Sequence, residues 1–210
     1  MSHMLHRTGP AESLKNDFPI LAVASRTVNR PGAAPKLIEI QRVFLRHNCV
    51  NGGVMGTKEQ ALDPNLPDAF FAEVTDNVTV HGLFSSEEDL IACLKELKEL
   101  DLGISVVVSG LFDRVHQCCR EAGLEPHSVN TSLGVWGNTD KLPKNQYSRD
   151  ISTMCGHSMV PVAIIEKYAD RIRKGKMTPE EAAKKLTPLC TCHVFNTQRA
   201  AELLAKMALE

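Results

Sequence analysis

Apolar strands alternate with amphipathic helices along the first two thirds of the chain, and this alternation limits the folds that the chain can adopt. Residues 20–24 form an apolar run typical of a buried strand, and residues 104–109 are rich enough in β-branched side chains for a central parallel strand. Strands linked by helices favour an α/β fold, because each crossover helix covers a face of the sheet. Residues 18–137 are therefore predicted to form a layered sheet with covering helices. The predicted strands are residues 18–27, 77–84, 104–109 and 127–135, and the predicted helices are residues 35–49, 85–100 and 111–122.

Local signals mark the ends of these elements. Ser85, followed three residues later by Glu88, predicts a capping-box helix start, and Gly123 predicts a left-handed helix end. Residues 51–67 are rich in Gly, Pro, Asn and Asp, so we expect a loop there. His81 lies at the predicted end of a strand, a place where α/β proteins hold ligands, but we expect it to have a structural role.

The charge and hydropathy of the chain limit the kinds of partner that it can bind. The 24 basic and 25 acidic residues nearly cancel, which gives no electrostatic basis for binding nucleic acid or an anionic membrane. No apolar window is long enough to cross a bilayer and no secretory signal is evident, so we expect a cytoplasmic protein. Residues 1–17 are expected to be disordered or tag-derived, and residues 138–150 to form a linker or an active-site loop.

The chain contains seven cysteines, and in a reducing compartment clustered cysteines more often bind metal or perform redox chemistry than form disulfides. Three of them, Cys155, Cys190 and Cys192, fall in residues 151–210, which we predict to be a small helical module. The other four are interpreted as core or incidental residues and are Cys49, Cys93, Cys118 and Cys119.

A helical hairpin explains how thiols so far apart in the sequence could meet. Ser158 is expected to cap a first helix, and Thr178 with Glu181 forms a capping box for a shorter return helix. The two helices would run about 22 Å outward and about 14 Å back at 1.5 Å per residue. Cys155 can therefore lie beside Cys190 if the helices pack antiparallel.

Three converging thiolates predict a metal centre, and two kinds remain open. A [4Fe-4S] cluster with one iron not bound by cysteine fits three thiolates. A structural zinc site of the Cys3His type is the alternative, with His157 or His193 as the fourth ligand. Cys190 and Cys192 also precede a helix that Asn196 is expected to cap, and helix N-termini stabilise thiolates.

These residues predict three functions. The first is a [4Fe-4S] enzyme that acts on a small molecule by Lewis-acid lyase, dehydratase or desulfidase-type chemistry, with His157 as catalytic acid or base. The second is an electron-transfer or binding subunit whose cluster is fully ligated, and the third is a structural zinc module on a ligand-binding α/β domain. A partner subunit or a homo-oligomer is compatible with each.

Overall fold

The computed structural model of the protein describes residues 7–55, 68–72, 74–125, 142–156, 159–190 and 192–210. The predicted strand over residues 127–135 lies outside these ranges. The described strands are β1 (Phe18–Val23), β2 (Asn51–Val54), β3 (Thr79–Phe84) and β4 (Ser105–Val108). The described α-helices are α1 (Ala11–Leu14), α2 (Ala34–Arg46), α3 (Glu87–Leu100), α4 (Phe112–Glu121), α5 (Gln146–Ser152), α6 (Val162–Arg173), α7 (Pro179–Leu186) and α8 (Thr197–Leu209). Short 3-10 turns occur at Asp68–Phe71 and Thr187–Leu189.

The four described strands form one antiparallel sheet in the order β2-β3-β1-β4. β1 is antiparallel to both β3 and β4, and β2 is antiparallel to β3. β1 and β2 therefore point the same way with β3 between them, and α2 is the crossover that links them, which is a split β-α-β arrangement. The mixed α/β class is confirmed. The prediction of a central parallel strand at residues 104–109 is wrong, because β4 pairs only with β1 at one end of the described sheet.

β2 corrects the expectation of a loop after Asn51. Gly52 pairs with Gly82 in β3, and both glycines lie under α2. A Cβ atom on Gly82 would approach Phe44 Cβ of α2 and Ile20 Cγ2 to 3.2 Å. The glycines therefore allow α2 to pack closely on the sheet. Because glycine is also common in turns, the composition of this segment led to the prediction of a loop where β2 lies.

The two faces of the sheet are covered by different parts of the chain. On one face, even-numbered side chains of β1 and β3, such as Ile20 and Val80, pack against α2, α3 and α4. On the other face, Leu21 and Leu83 join the apolar core of the C-terminal helices. The C-terminal helices are thus a third layer, and none of the described helices is long and apolar enough to cross a bilayer.

The structure also departs from two expectations at segment boundaries. Residues 7–17, expected to be disordered, contain α1 and pack against the C-terminal layer, where Arg7 and Arg199 both bind Asp17. Residues 146–150, expected to be part of a linker or an active-site loop, belong to α5. Both segments are held in place by side-chain contacts with residues that are distant in the sequence. Local composition therefore did not reveal their structure.

Candidate functional site

The C-terminal layer brings three thiols together from two distant segments. Cys155 follows α5, and Cys190 and Cys192 follow the 3-10 turn after α7. The Sγ atoms of Cys190 and Cys192 are 3.4 Å apart, and the Cys155 side chain hydrogen-bonds to that of Cys190. Cys190 therefore contacts both other thiols, as the sequence predicted for these three residues.

The helical hairpin formed by α6 and α7 brings Cys155 and Cys190 close together. α6 has 12 residues and α7 has 8, so they run about 18 Å outward and about 12 Å back. Gly175 has a φ of 64° at the end of α6, and the Thr178–Glu181 capping box starts α7 as predicted. α6 begins at Val162 with Pro161 as its N-cap, whereas Ser158, the cap expected from the sequence, lies outside the described residues.

A tight turn aligns the C-x-C pair. The His193 N–H donates to the Cys190 carbonyl at 2.8 Å, and His193 has a φ of 55°. A left-handed conformation is uncommon for residues other than glycine, although histidine tolerates it better than branched residues. The side chains of Cys190 and Cys192 lie on the same side of this turn, and both residues are at least nine-tenths buried.

The surroundings of Cys190 favour the neutral form of its thiol. Hydrogen bonds with Cys155 and Cys192 raise the pKa of the Cys190 thiol well above its usual value, and burial raises it further. The Met159 N–H lies 3.5 Å from the Cys155 Sγ and can donate to it. Asn196 caps α8 as predicted, by accepting a hydrogen bond from the Arg199 N–H, so a helix N-terminus follows the C-x-C turn.

Two histidines were predicted as the fourth ligand, and one of them lies within the described residues. His157 lies outside the described residues. His193 is described, and burial lowers the pKa of its imidazole. The imidazole of His193 interacts electrostatically with that of His81 in β3. Within the described ranges, no group of three or more His, Cys, Asp or Glu side chains that could hold a metal ion is found.

The other four cysteines lie on the opposite side of the sheet. Cys93 in α3 and Cys118 in α4 are fully buried in the core formed by α2, α3 and α4. Burial raises the pKa of Cys49 to about 12 and that of Cys118 to about 11. A buried thiol with a raised pKa is unreactive, which agrees with the interpretation of these residues as core side chains.

Two polar side chains beside the C-x-C turn were not identified as site residues from the sequence. His81 in β3 and Asn51 in β2 are fully buried on the sheet face that meets the C-terminal layer. The Asn51 amide nitrogen donates to the carbonyls of His193 and Phe195, at 2.6 and 2.8 Å. In the sequence, each of these polar residues stands directly before a glycine. That pattern could not place the two side chains on one sheet face, because the face depends on which strands pair.

Comparisons with known proteins found no matching protein-family model, no similar curated protein and no matching solved structure.

Proposed function

We propose that Cys155, Cys190 and Cys192 bind a [4Fe-4S] cluster and that the protein is an enzyme acting on a small molecule. The observation that supports this is the contact of Cys190 with both other thiols, although 34 residues separate it from Cys155. Free cysteines are commonly buried as small apolar residues, so the support comes from the contact between thiols of two distant segments and not from their burial. Three thiolates leave one iron of a four-iron cluster without a cysteine ligand.

That open position would serve lyase, dehydratase or desulfidase-type chemistry. An iron with a free coordination site supplies a Lewis acid for an oxygen or sulfur atom of the substrate. His157, two residues after Cys155, is proposed as the proton donor or acceptor. The α8 N-terminus and the Met159 N–H would stabilise the negative charge of the thiolates.

A single zinc ion is the second candidate, and one distance favours it. A tetrahedral site with zinc–sulfur bonds of about 2.3 Å separates its sulfur atoms by about 3.8 Å. The Cys190–Cys192 separation of 3.4 Å is close to that value. Ligation of different irons requires the two sulfur atoms to lie much farther apart, so the cluster proposal requires the side chains of Cys190 and Cys192 to change rotamer. In the zinc site, His157 or His193 would be the fourth ligand.

Metal analysis of the full chain tests the proposal. The protein is purified without oxygen and reconstituted with iron and sulfide. We expect a brown protein with absorbance near 400 nm and about four irons per chain. A small molecule that changes the electron paramagnetic resonance spectrum of the reduced cluster would support an open iron. Reversible reduction without such a change would instead support an electron-transfer subunit.

Two variants test the ligand assignment. Cys155→Ser is expected to lose the cluster, because two thiolates cannot hold it. Cys118→Ser is the matched control, since Cys118 is a buried thiol on the other side of the sheet and should leave the iron content unchanged. Full iron content in Cys155→Ser contradicts the assignment. A colourless parent protein with one zinc per chain contradicts the cluster proposal and supports the zinc site.

A further inference from the structure

β4 is an exposed edge of the sheet. It pairs with β1 on one side, and on its other side no strand in the described part of the chain lies beside it. The Ser105 and Val107 side chains are exposed, whereas all four residues of β2, at the opposite end of the strand order, are buried. Val107 is 44 % exposed, and Phe112, the first residue of α4, is 58 % exposed. Large apolar side chains therefore face solvent in this edge strand and directly after it.

The backbone groups of two β4 residues point away from β1. The Ser109 N–H donates to the Pro19 carbonyl at 2.9 Å, which fixes the alternation of the ladder. In an antiparallel pair, every second residue hydrogen-bonds to the neighbouring strand, so Val107 also bonds to β1 while Val106 and Val108 turn their N–H and C=O groups outward. Outward backbone groups at a sheet edge are a template for a further strand.

The edge lacks the residues that usually protect such a strand from pairing. Residues 104–110 read ISVVVSG and contain no charged residue and no proline. Charged side chains and prolines on edge strands normally prevent the addition of another strand. The formal net charge of the whole chain is -1, so two copies repel each other little. Electrostatics therefore do not oppose the association of two copies through β4.

The sequence of the edge is the same in both directions. Residues 105–109 read Ser-Val-Val-Val-Ser, so Val107 is the centre of a palindrome. Two antiparallel copies centred on Val107 place each Val106 opposite Val108 of the second copy. These are the residues whose backbone groups point outward, so each such pair exchanges two hydrogen bonds. Val107 then meets Val107 of the second copy in a pair without hydrogen bonds, where the side chains lie closest.

We propose that the β4 edge is a homodimer interface, at which the sheets of two copies join into one continuous antiparallel sheet. The palindrome and the outward backbone groups share one centre, and a second copy of this chain is the partner that matches both. Ser105 faces Ser109 of the second copy, and cross-strand pairs of hydroxyl or β-branched side chains stabilise neighbouring strands. The edge is small compared with the ~1,600 Å² of a standard stable interface, so the association is weak and reversible. It contains none of the three thiols and is independent of the proposed function.

Analytical ultracentrifugation of the full chain tests the interface. We expect an equilibrium of monomer and dimer that shifts towards dimer as the protein concentration rises from the micromolar to the millimolar range. Val107→Lys places two like charges directly opposite each other, so it should weaken association at least about tenfold. Val28→Lys is the matched control, since Val28 is 78 % exposed and lies outside β4, and it should associate like the parent. A parent protein that stays monomeric up to about 1 mM, or a Val107→Lys variant that dimerises as tightly as the parent, overturns the proposal.

Cysteine cross-linking tests the register of the two strands. Val107→Cys brings two thiols onto residues whose Cα atoms are about 4.5 Å apart, within the range of a disulfide. Oxidised glutathione should therefore convert this variant into a covalent dimer on a non-reducing gel. Ser105→Cys is the control on the same face, because its two copies would be four residues out of register, about 13 Å apart. It should remain monomeric, as should the parent, whose cysteines are buried or partly buried. Equal cross-linking of both variants, or none in Val107→Cys, overturns the proposal.

Discussion

Asp17 is the carboxylate that joins two buried guanidinium groups, and neutralising it should destabilise the contact between the N-terminal segment and α8. Its Oδ2 atom lies 2.8 Å from Arg7 Nε and 3.0 Å from Arg199 Nη1. Its Oδ1 atom accepts a hydrogen bond from the Asn196 amide at 3.1 Å. The side chains of Asp17, Arg7 and Arg199 are 0 %, 4 % and 1 % exposed, so solvent screens these charges little.

Asp17→Asn keeps the volume of the side chain and removes the charge. Two guanidinium groups then remain close together, with Asp150 as the nearby carboxylate that still stabilises the charge of Arg199. Removing one partner of a buried ion pair costs about 3–5 kcal/mol. With a urea dependence of about 2 kcal/mol per molar, the denaturation midpoint should fall by about 2 M.

Urea denaturation followed by circular dichroism measures this loss. Asp170→Asn is the matched control, because Asp170 accepts a hydrogen bond from Lys174 at 2.8 Å but both side chains are about half exposed. Exposed pairs contribute about 0–1 kcal/mol. If Asp17→Asn loses no more stability than Asp170→Asn, the N-terminal segment is not held by this network and the reasoning is refuted.

Two further substitutions test the packing of the fold by the same denaturation assay. Gly82→Ala should cost about 1–3 kcal/mol, because its Cβ would press on Phe44 and Ile20 at 3.2 Å; unchanged stability would show that α2 can move away from the sheet. Thr178→Ala should cost about 1 kcal/mol by removing the hydroxyl that accepts from the Glu181 N–H, whereas Thr178→Ser should cost little. Equal losses in the alanine and serine variants would mean that the cap does not stabilise α7.

Helix ends were predictable because their signals are local. The Thr178–Glu181 capping box, the Asn196 cap and the left-handed Gly123 occur where the sequence placed them. The start of α3 is displaced by one residue, since Ser86 and not Ser85 accepts from the Asp89 N–H. Each signal involves residues within about one helical turn, so no knowledge of distant contacts was needed.

Strand pairing was not predictable because it depends on distant residues. The apolar run at residues 104–109 is compatible with a parallel or an antiparallel neighbour, and only its pairing with β1 decides between them. The Asn51–Val54 strand has two glycines in four residues, which locally favours a turn. The contact of the three thiols was predictable despite its range, because the hairpin between them is itself built from local signals.

The role of α8 has a consequence for how the chain folds during synthesis. Thr197–Leu209 follows every other described element in the chain, yet it packs on α5, α6 and α7 and its Arg199 binds residues of the N-terminal segment. Until the ribosome has released this helix, Leu21 and Leu83 on one side of the sheet lack part of their cover. A nascent chain halted before residue 197 should therefore expose apolar surface and recruit chaperones.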